Sequence, residues 1–150
     1  MGSKTLSDYA NLADNLAIRE LAANYIDAVN RTDGAAWKAT WSHDGTWILM
    51  GQEVSGREEL FGFWQTAMAS FKFAFMVLNS GTIDISGDTA TGRWYVTEHL
   101  LGQDGNGLHI EGVYDDQYVR EDGRWVFARR DYHVIYRGSE DLSGDYTPYS

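Results

Sequence analysis

Two adjacent residues of one strand pattern, Glu98 and His99, are well suited to move a proton. Strand residues alternate between two faces, so Glu98 shares a face with apolar Trp94 and Leu100. A carboxylate on an apolar pocket wall is desolvated, which raises its pKa and makes it a usable acid or base. An ion pair or a position near the strand end would explain Glu98 structurally. His99 should face solvent or another subunit, unless a β-bulge turns it toward Glu98.

The last two strand patterns carry further candidate groups. Asp131 and His133 alternate onto one face of "WVFARRDYHVIYR", where the carboxylate could orient the imidazole as a base. An ion-pair ladder on an edge strand would explain the same pair. In "LHIEGVYDDQYVR", Gly112 removes bulk where a ligand would approach. Tyr114 then presents a phenol to that space, or is an ordinary core tyrosine.

Composition excludes several classes of function. The chain has 150 residues, which suits one domain (1–150), and no cysteine for a disulfide, a metal site or a thiol nucleophile. Its net charge of -10 argues against nucleic acid and anionic membranes as partners. No membrane-spanning run or signal peptide is evident, so we expect a cytoplasmic protein. The aromatic content of 14% fits either an aromatic core or a pocket for a flat apolar ligand.

Several well-known catalytic, nucleotide-binding and metal-binding motifs are absent from the sequence. It contains no Walker motif, no dinucleotide fingerprint, no nucleophile elbow and no HExxH. The four histidines lack the spacing of metal ligands, so we expect no metal and no cofactor. The remaining options are acid/base chemistry in an apolar cavity, or binding of a small apolar molecule without chemistry.

Periodicity predicts helices first and a sheet afterwards. The first helix begins at Asp14 as its N-cap, places Tyr25 on its buried stripe and has Asn30 near its end. Ser55 and Glu58 form a capping box ahead of the third helix. The predicted elements are helices at 14–33, 35–41 and from 56, a short strand at 46–51, and long strands at 72–85, 89–101, 108–120 and 124–136. We therefore expect an α+β fold, with the helices on one face of a curved antiparallel sheet.

This pattern resembles the SnoaL-like branch of the nuclear transport factor 2-like superfamily. The resemblance rests on "YIDAVNRTD", "GREELFGFW", "GDTATGRWYVTEHL", "GVYDDQYVREDGRW" and "RRDYHVIYR". It spans a core of 13–136 and leaves an irregular tail at 137–150. The branch includes scytalone dehydratase, bile-acid 7α-dehydratase and polyketide cyclases. It implies a cone-shaped α+β barrel, three N-terminal helices packed on a curved, mainly antiparallel sheet, and a homodimer or homotrimer.

The resemblance also implies roles for individual residues. Glu98 falls on an active-site aspartate of bile-acid 7α-dehydratase, and Tyr25 falls on its helix-one tyrosine. Asn30 replaces a catalytic aspartate, and Met76 lies where the family has a histidine, so the Asp–His pair of the dehydratases is missing. The "RRDY" stretch is similar to limonene epoxide hydrolase, whose aspartate matches Asp131.

These observations lead to one functional hypothesis and two alternatives for the cavity, besides a pure dimerisation module in which the exposed sheet face with Tyr95 and His99 meets a partner. The hypothesis is a cofactor-independent dehydratase (a lyase) acting on a steroid-like or polyketide-like substrate in a buried pocket. Its expected catalytic residues are Glu98, His99, Asp131 and His133, and its expected substrate contacts are Tyr25, Asn30, Trp94, Tyr114 and Met76. The alternatives are an isomerase or cyclase of the ketosteroid isomerase or polyketide cyclase type, and a non-catalytic apolar-ligand-binding protein.

Overall fold

The computed structural model describes residues 5–149, in which helices precede the long strands of one sheet. The helices are α1 (Leu6–Arg31), α2 (Gly34–Ala39) and α3 (Arg57–Ala69). The strands are β1 (Trp41–Leu49), β2 (Gln52–Ser55), β3 (Phe71–Ser86), β4 (Thr89–Gly102), β5 (Gly107–Glu121) and β6 (Arg124–Ser139). The predicted α+β architecture is confirmed, and the long strands extend the predicted ones by one to three residues at some ends.

Helix α1 begins earlier than its apolar periodicity indicates. Thr5 is the N-cap, and its side chain forms a capping box with Asp8. Asp14 is therefore not the cap. It lies within the helix, where its Oδ1 accepts hydrogen bonds from Arg120 Nη2 at 2.6 Å and from Trp125 Nε1 at 3.2 Å. These contacts tie the first half of α1 to the far end of the sheet.

The predicted capping box of α3 is wrong. Ser55 is the last residue of β2, where it pairs with Thr46 and their hydroxyls lie 3.0 Å apart. Gly56 takes the N-cap position instead, with φ of 92° and no side-chain hydrogen bond. Such a positive φ suits glycine, which has no Cβ to clash. The chain therefore turns from strand to helix within one residue.

The six strands form one curved, open sheet in the order β2-β1-β6-β5-β4-β3. All neighbouring pairs are antiparallel except β1 and β6, which run parallel. Register shifts interrupt the ladders at 71/73, 78/80, 111/112 and 117/118. Such bulges bend a strand and increase its twist. The bent sheet wraps around the helices on its inner face and leaves a cone-shaped interior.

The end of the chain lies against the outer face of the sheet. Strand β6 continues to Ser139, beyond the predicted start of the tail. The Glu140 N–H then donates to the Gly107 carbonyl at 3.0 Å, and Tyr146 packs against Phe73 with ring centroids 5.5 Å apart. Among residues 5–149, no helix combines the length and the apolar character that crossing a membrane requires.

Candidate active site

An apolar cavity of about 160 Å³ lies between the helices and the inner face of the sheet. Its wall comes from α1, α3, the β1–β2 turn and strands β1, β3, β4, β5 and β6. The lining residues are Tyr25, Val29, Trp47, Leu49, Met50, Trp64, Ala67, Met68, Phe71, Ala74, Phe75, Met76, Glu98, Leu100, Ile110, Tyr114, Tyr132 and Val134. Glu98 is the only carboxylate in this set. A mostly apolar wall with a few polar groups is typical of small-molecule sites.

Glu98 lies on β4 between buried Val96 and Leu100, on the inner face that the alternation predicts. Burial raises the pKa of its carboxyl, although the hydrogen bond from Tyr132 acts in the opposite direction. The Tyr132 hydroxyl donates a hydrogen bond to Oε1. Within residues 5–149, Oε2 receives no hydrogen bond. One oxygen of this carboxyl is therefore held in place, and the other is available to a ligand in the cavity.

Gly112 makes the contact between Tyr132 and Glu98 geometrically feasible. It lies on β5, between the β4 strand of Glu98 and the β6 strand of Tyr132. A Cβ atom on residue 112 would overlap the Tyr132 ring and hydroxyl. The space that glycine leaves is thus filled by Tyr132, not by a ligand, which corrects the sequence-based interpretation of Gly112. The glycine lets the phenol reach across a whole strand.

Two further phenols border the same cavity. The hydroxyls of Tyr25, on α1, and Tyr114, on β5, lie 3.5 Å apart. The Tyr114 ring packs against Tyr132 with ring centroids 4.6 Å apart. Burial raises the pKa of both Tyr25 and Tyr114, so both phenols remain protonated and can donate hydrogen bonds at neutral pH. The cavity wall therefore combines a proton acceptor with adjacent phenol donors.

A buried ion pair packs against the rings of these two tyrosines. Arg130 Nε and Nη2 donate to the two oxygens of Asp116 at 2.8 and 3.1 Å. The Arg130 guanidinium carbon lies 3.7 Å from the Tyr114 ring centroid and 4.4 Å from that of Tyr25, within cation–π range. Burial opposes the charge on Arg130, but Asp116 and the two phenols outweigh it, and the Arg130 pKa is raised. The guanidinium is a fixed positive charge beneath the two tyrosine rings.

Of the nine sequence-predicted site residues, four line the cavity and five do not. Glu98, Tyr25, Tyr114 and Met76 all line it. Asn30 does not line it; its amide donates to the Met76 carbonyl and accepts from the Met76 N–H, both at 2.8 Å. Trp94 is buried farther along β4, where its Nε1 donates to Tyr118 at 2.9 Å.

The predicted partners of Glu98 lie on the outer face of the sheet. His99 Nδ1 is 2.7 Å from a Glu140 carboxylate oxygen, on the side of β4 away from the cavity. The pair Asp131 and His133 also points outward, where His133 Nε2 lies 3.5 Å from Asp131 and 3.3 Å from Asp115. This corrects the expectation that these three residues act beside Glu98. The alternation of β4 and β6 places them on the wrong face.

Sequence reasoning missed Tyr132, Arg130 and Asp116. The signal was present in β6, where Arg130, Tyr132 and Val134 form the series opposite to Asp131 and His133. In the structure this opposite series faces the cavity and core, and Arg130 is only 1% exposed. Among the residues that the structure describes, no cluster of three or more His, Asp or Glu side chains is arranged to hold a metal ion.

A family sequence model matches residues 10–131 of the chain, and it describes the SnoaL-like domain. The chain belongs to this family. Among solved structures, LinA superposes on this SnoaL-like protein with a TM-score of 0.86 and 22% identity, over 95% of this chain and 100% of that one. Hexachlorocyclohexane dehydrochlorinase LinA-type3 from Novosphingobium barchaimii superposes with a TM-score of 0.85 and 19% identity, over 94% of this chain and 99% of that one.

A scytalone dehydratase-like protein from Novosphingobium aromaticivorans is a third neighbour of the SnoaL-like chain. Its TM-score is 0.80 and its identity 19%, with 88% of this chain and 91% of that chain covered. Identities at this level show a shared fold, and the fold predicted from the sequence is thereby confirmed. The named neighbours are dehydrochlorinases or dehydratase-like proteins. The reaction of this chain has to be inferred from the residues of its own cavity.

Proposed function

We propose that the protein is a cofactor-independent lyase that removes water from a ring-sized apolar β-hydroxyketone. The observation that carries this proposal is a desolvated carboxyl, Glu98, on the wall of an apolar cavity beside phenol donors, with an Oε2 that accepts no hydrogen bond from residues 5–149. A base of raised pKa in a dry site is suited to taking a proton from carbon. The dehydrochlorinase and dehydratase-like neighbours are also named for eliminations or related chemistry, which supports this reaction class.

The proposed elimination has two steps. Glu98 Oε2 takes the proton from the carbon next to the ketone, and the C–H electron pair moves into an enolate whose oxygen accepts hydrogen bonds from Tyr25 and Tyr114. Collapse of the enolate expels the β-hydroxyl group, which takes the proton back from Glu98. The products are one water molecule and a conjugated ketone. Each well-placed donor in such a site can contribute about 3 kcal/mol to stabilising the transition state.

The cavity volume supports a small substrate. An apolar cavity of about 150 Å³ is large enough to hold benzene, and the volume here is about 160 Å³. Of the two substrate classes that the family resemblance implies, a polyketide-like ring fits this space better than a four-ring steroid. An isomerase would use the same first step and then return the proton to a different carbon.

The test replaces Glu98→Gln and measures proton exchange at carbon. A one-ring ketone such as cyclohexanone, incubated with the protein in D₂O, should exchange its α-protons, as followed by proton NMR. The variant should lose about 10²- to 10⁴-fold in exchange rate, because glutamine cannot accept the proton. It should still bind the ketone in saturation-transfer NMR.

A matched control is Glu111→Gln, on the outer face of the neighbouring strand β5. Glu111 accepts hydrogen bonds from Thr97 there and does not line the cavity. This variant should exchange the ketone protons at the wild-type rate. If wild-type protein binds the ketone but exchanges nothing, the lyase proposal fails and a binding protein is the better description. If Glu98→Gln exchanges as fast as wild type, Glu98 is not the base.

A further inference from the structure

Three methionines from distant parts of the sequence converge on one cavity. The sequence contains four, and the three that the structure describes, Met50, Met68 and Met76, all line the space beside Glu98. They come from three different elements: the β1–β2 turn, α3 and β3. Local sequence patterns do not require this convergence. Methionine is unbranched and polarisable, so it fills irregular gaps and adapts to different neighbours.

The three side chains differ in how much solvent they contact. Met76 is buried at 6% exposure, Met68 is half-buried, and Met50 is 66% exposed. The adaptable part of the wall therefore reaches from the interior of the protein to its surface. A ligand entering from the Met50 side would meet a side chain that is free to change rotamer.

The backbone at Met50 supports a role for its side chain. Met50 and Gly51 are the two central residues of the tight turn between β1 and β2, with φ of 50° and 81°. Asparagine, aspartate and glycine are the residues that such a turn favours at the first of these positions. A methionine with positive φ is an uncommon choice and is locally unfavourable. Its contact with the cavity gives this residue a function that the turn does not.

The remaining wall is much stiffer. Trp64 stacks on Trp37 with ring centroids 4.9 Å apart and an interplanar angle of 15°. Trp47 packs edge-on against Phe63 with centroids 5.5 Å apart. Large rings packed in this way have few alternative positions, because protein interiors have little free volume. The unbranched methionines can therefore change the shape of the cavity more easily than these packed rings can.

We propose that Met50, Met68 and Met76 set the upper size of the ligand by letting the cavity expand from about 160 Å³ to admit fused two-ring ketones. This inference rests on the proposed function, because it concerns the substrate of the same site. It makes the three methionines specificity-determining residues. One-ring ketones need no expansion, whereas two-ring ketones do.

The test compares wild-type protein with a variant in which all three methionines are leucine. Leucine has nearly the same volume but is branched and stiffer, and such swaps are among the best tolerated in cores. The probes are cyclohex-2-enone and 1-tetralone, and their dissociation constants are measured by quenching of tryptophan fluorescence. We expect 1-tetralone to bind the variant about tenfold more weakly than it binds wild type, and the dissociation constant of cyclohexenone to change much less.

Two results would overturn the inference: equal binding of 1-tetralone to both proteins, or its rejection by wild-type protein. A second measurement needs no variant at all. In protein labelled with ¹³C-methyl methionine, 1-tetralone should shift the signals of Met50, Met68 and Met76 more than cyclohexenone does, and equal shifts would contradict the proposal. Binding requires no turnover, so these results are independent of the exchange rate of Glu98→Gln.

Discussion

At the scale of single residues, the pKa of Glu98 depends on its contact with Tyr132. Burial in the apolar wall raises the pKa of the carboxyl, and the phenol donates to the ionised form and lowers it. The two effects together set the pH at which the carboxyl can act as a base. Tyr132 also fixes which oxygen is occupied, so it positions the group as well as tuning it.

Replacing Tyr132→Phe should raise the pKa of Glu98 further. The change removes the hydrogen bond to Oε1 but keeps the ring over Gly112. The desolvation that raises the pKa is then no longer offset by this hydrogen bond. Carboxyl ¹³C NMR during a pH titration measures this directly. The matched control is Tyr136→Phe, an exposed ring on the same strand, which should leave the titration unchanged. A Glu98 pKa that stays constant or falls in Tyr132→Phe would contradict this account.

At the scale of elements, the side chain of Asn30 links α1 to the free edge of the sheet. Strand β3 is an edge strand, so alternate backbone groups on its outer side lack a partner strand. The Asn30 amide supplies a partner for both the N–H and the carbonyl of Met76. This pairing keeps Tyr25, on the same helix, at a fixed distance from the strand that carries Met76.

Replacing Asn30→Ala should lower the free energy of unfolding by about 1–3 kcal/mol, because two partly buried backbone groups lose their partners. Urea denaturation measures the difference. Asn79→Ala is the matched control, since Asn79 is exposed on the same strand and its side chain donates to the Thr97 hydroxyl. That control should stay within about 0.5 kcal/mol of wild type. Equal losses of unfolding free energy in both variants would show that the Asn30 contact stabilises the fold no more than the exposed Asn79 contact does.

The elements were more predictable from the sequence than the contacts between them. Alternation and short polar turns located the four long strands, and the same alternation put Glu98 on the inner face. The prediction of which side chains point into the cavity was wrong in β6, because both of its residue series contain aromatic side chains and a register shift precedes Arg129. Tyr132 reaches a carboxylate 34 residues away over a glycine, and no local pattern encodes such a distance.

At the scale of the whole molecule, the site makes stability depend on pH. The folded pKa of Glu98 lies above its unfolded value of 4.5. Folding therefore favours the neutral carboxyl, whose stabilising contribution is fully present below pH 4.5 and is lost as pH rises through the folded pKa. The effect of Glu111 on stability has the opposite pH dependence, because hydrogen bonds from Thr97 and the nearby His109 lower its pKa.

Melting temperatures of wild type and Glu98→Gln should diverge as the pH is raised above 4.5. Glutamine cannot ionise, so the variant should gain relative stability over that range. The Glu111→Gln variant should instead change its relative stability below pH 4.5, where Glu111 becomes protonated in wild type, and stay parallel to wild type at higher pH. A constant difference between wild type and Glu98→Gln across all pH values would show that Glu98 is not desolvated.

The stacked rings of Trp37 and Trp64, 4.9 Å apart and nearly parallel, give the protein an optical property of its own. Two indoles at this separation couple their electronic transitions and should produce an exciton couplet in the ultraviolet circular dichroism spectrum. Trp64 lines the cavity while Trp37 lies behind it. A molecule bound against Trp64 would alter the electronic surroundings of one ring of the pair and with them the couplet, so the chain carries an intrinsic, label-free reporter for screening ligands.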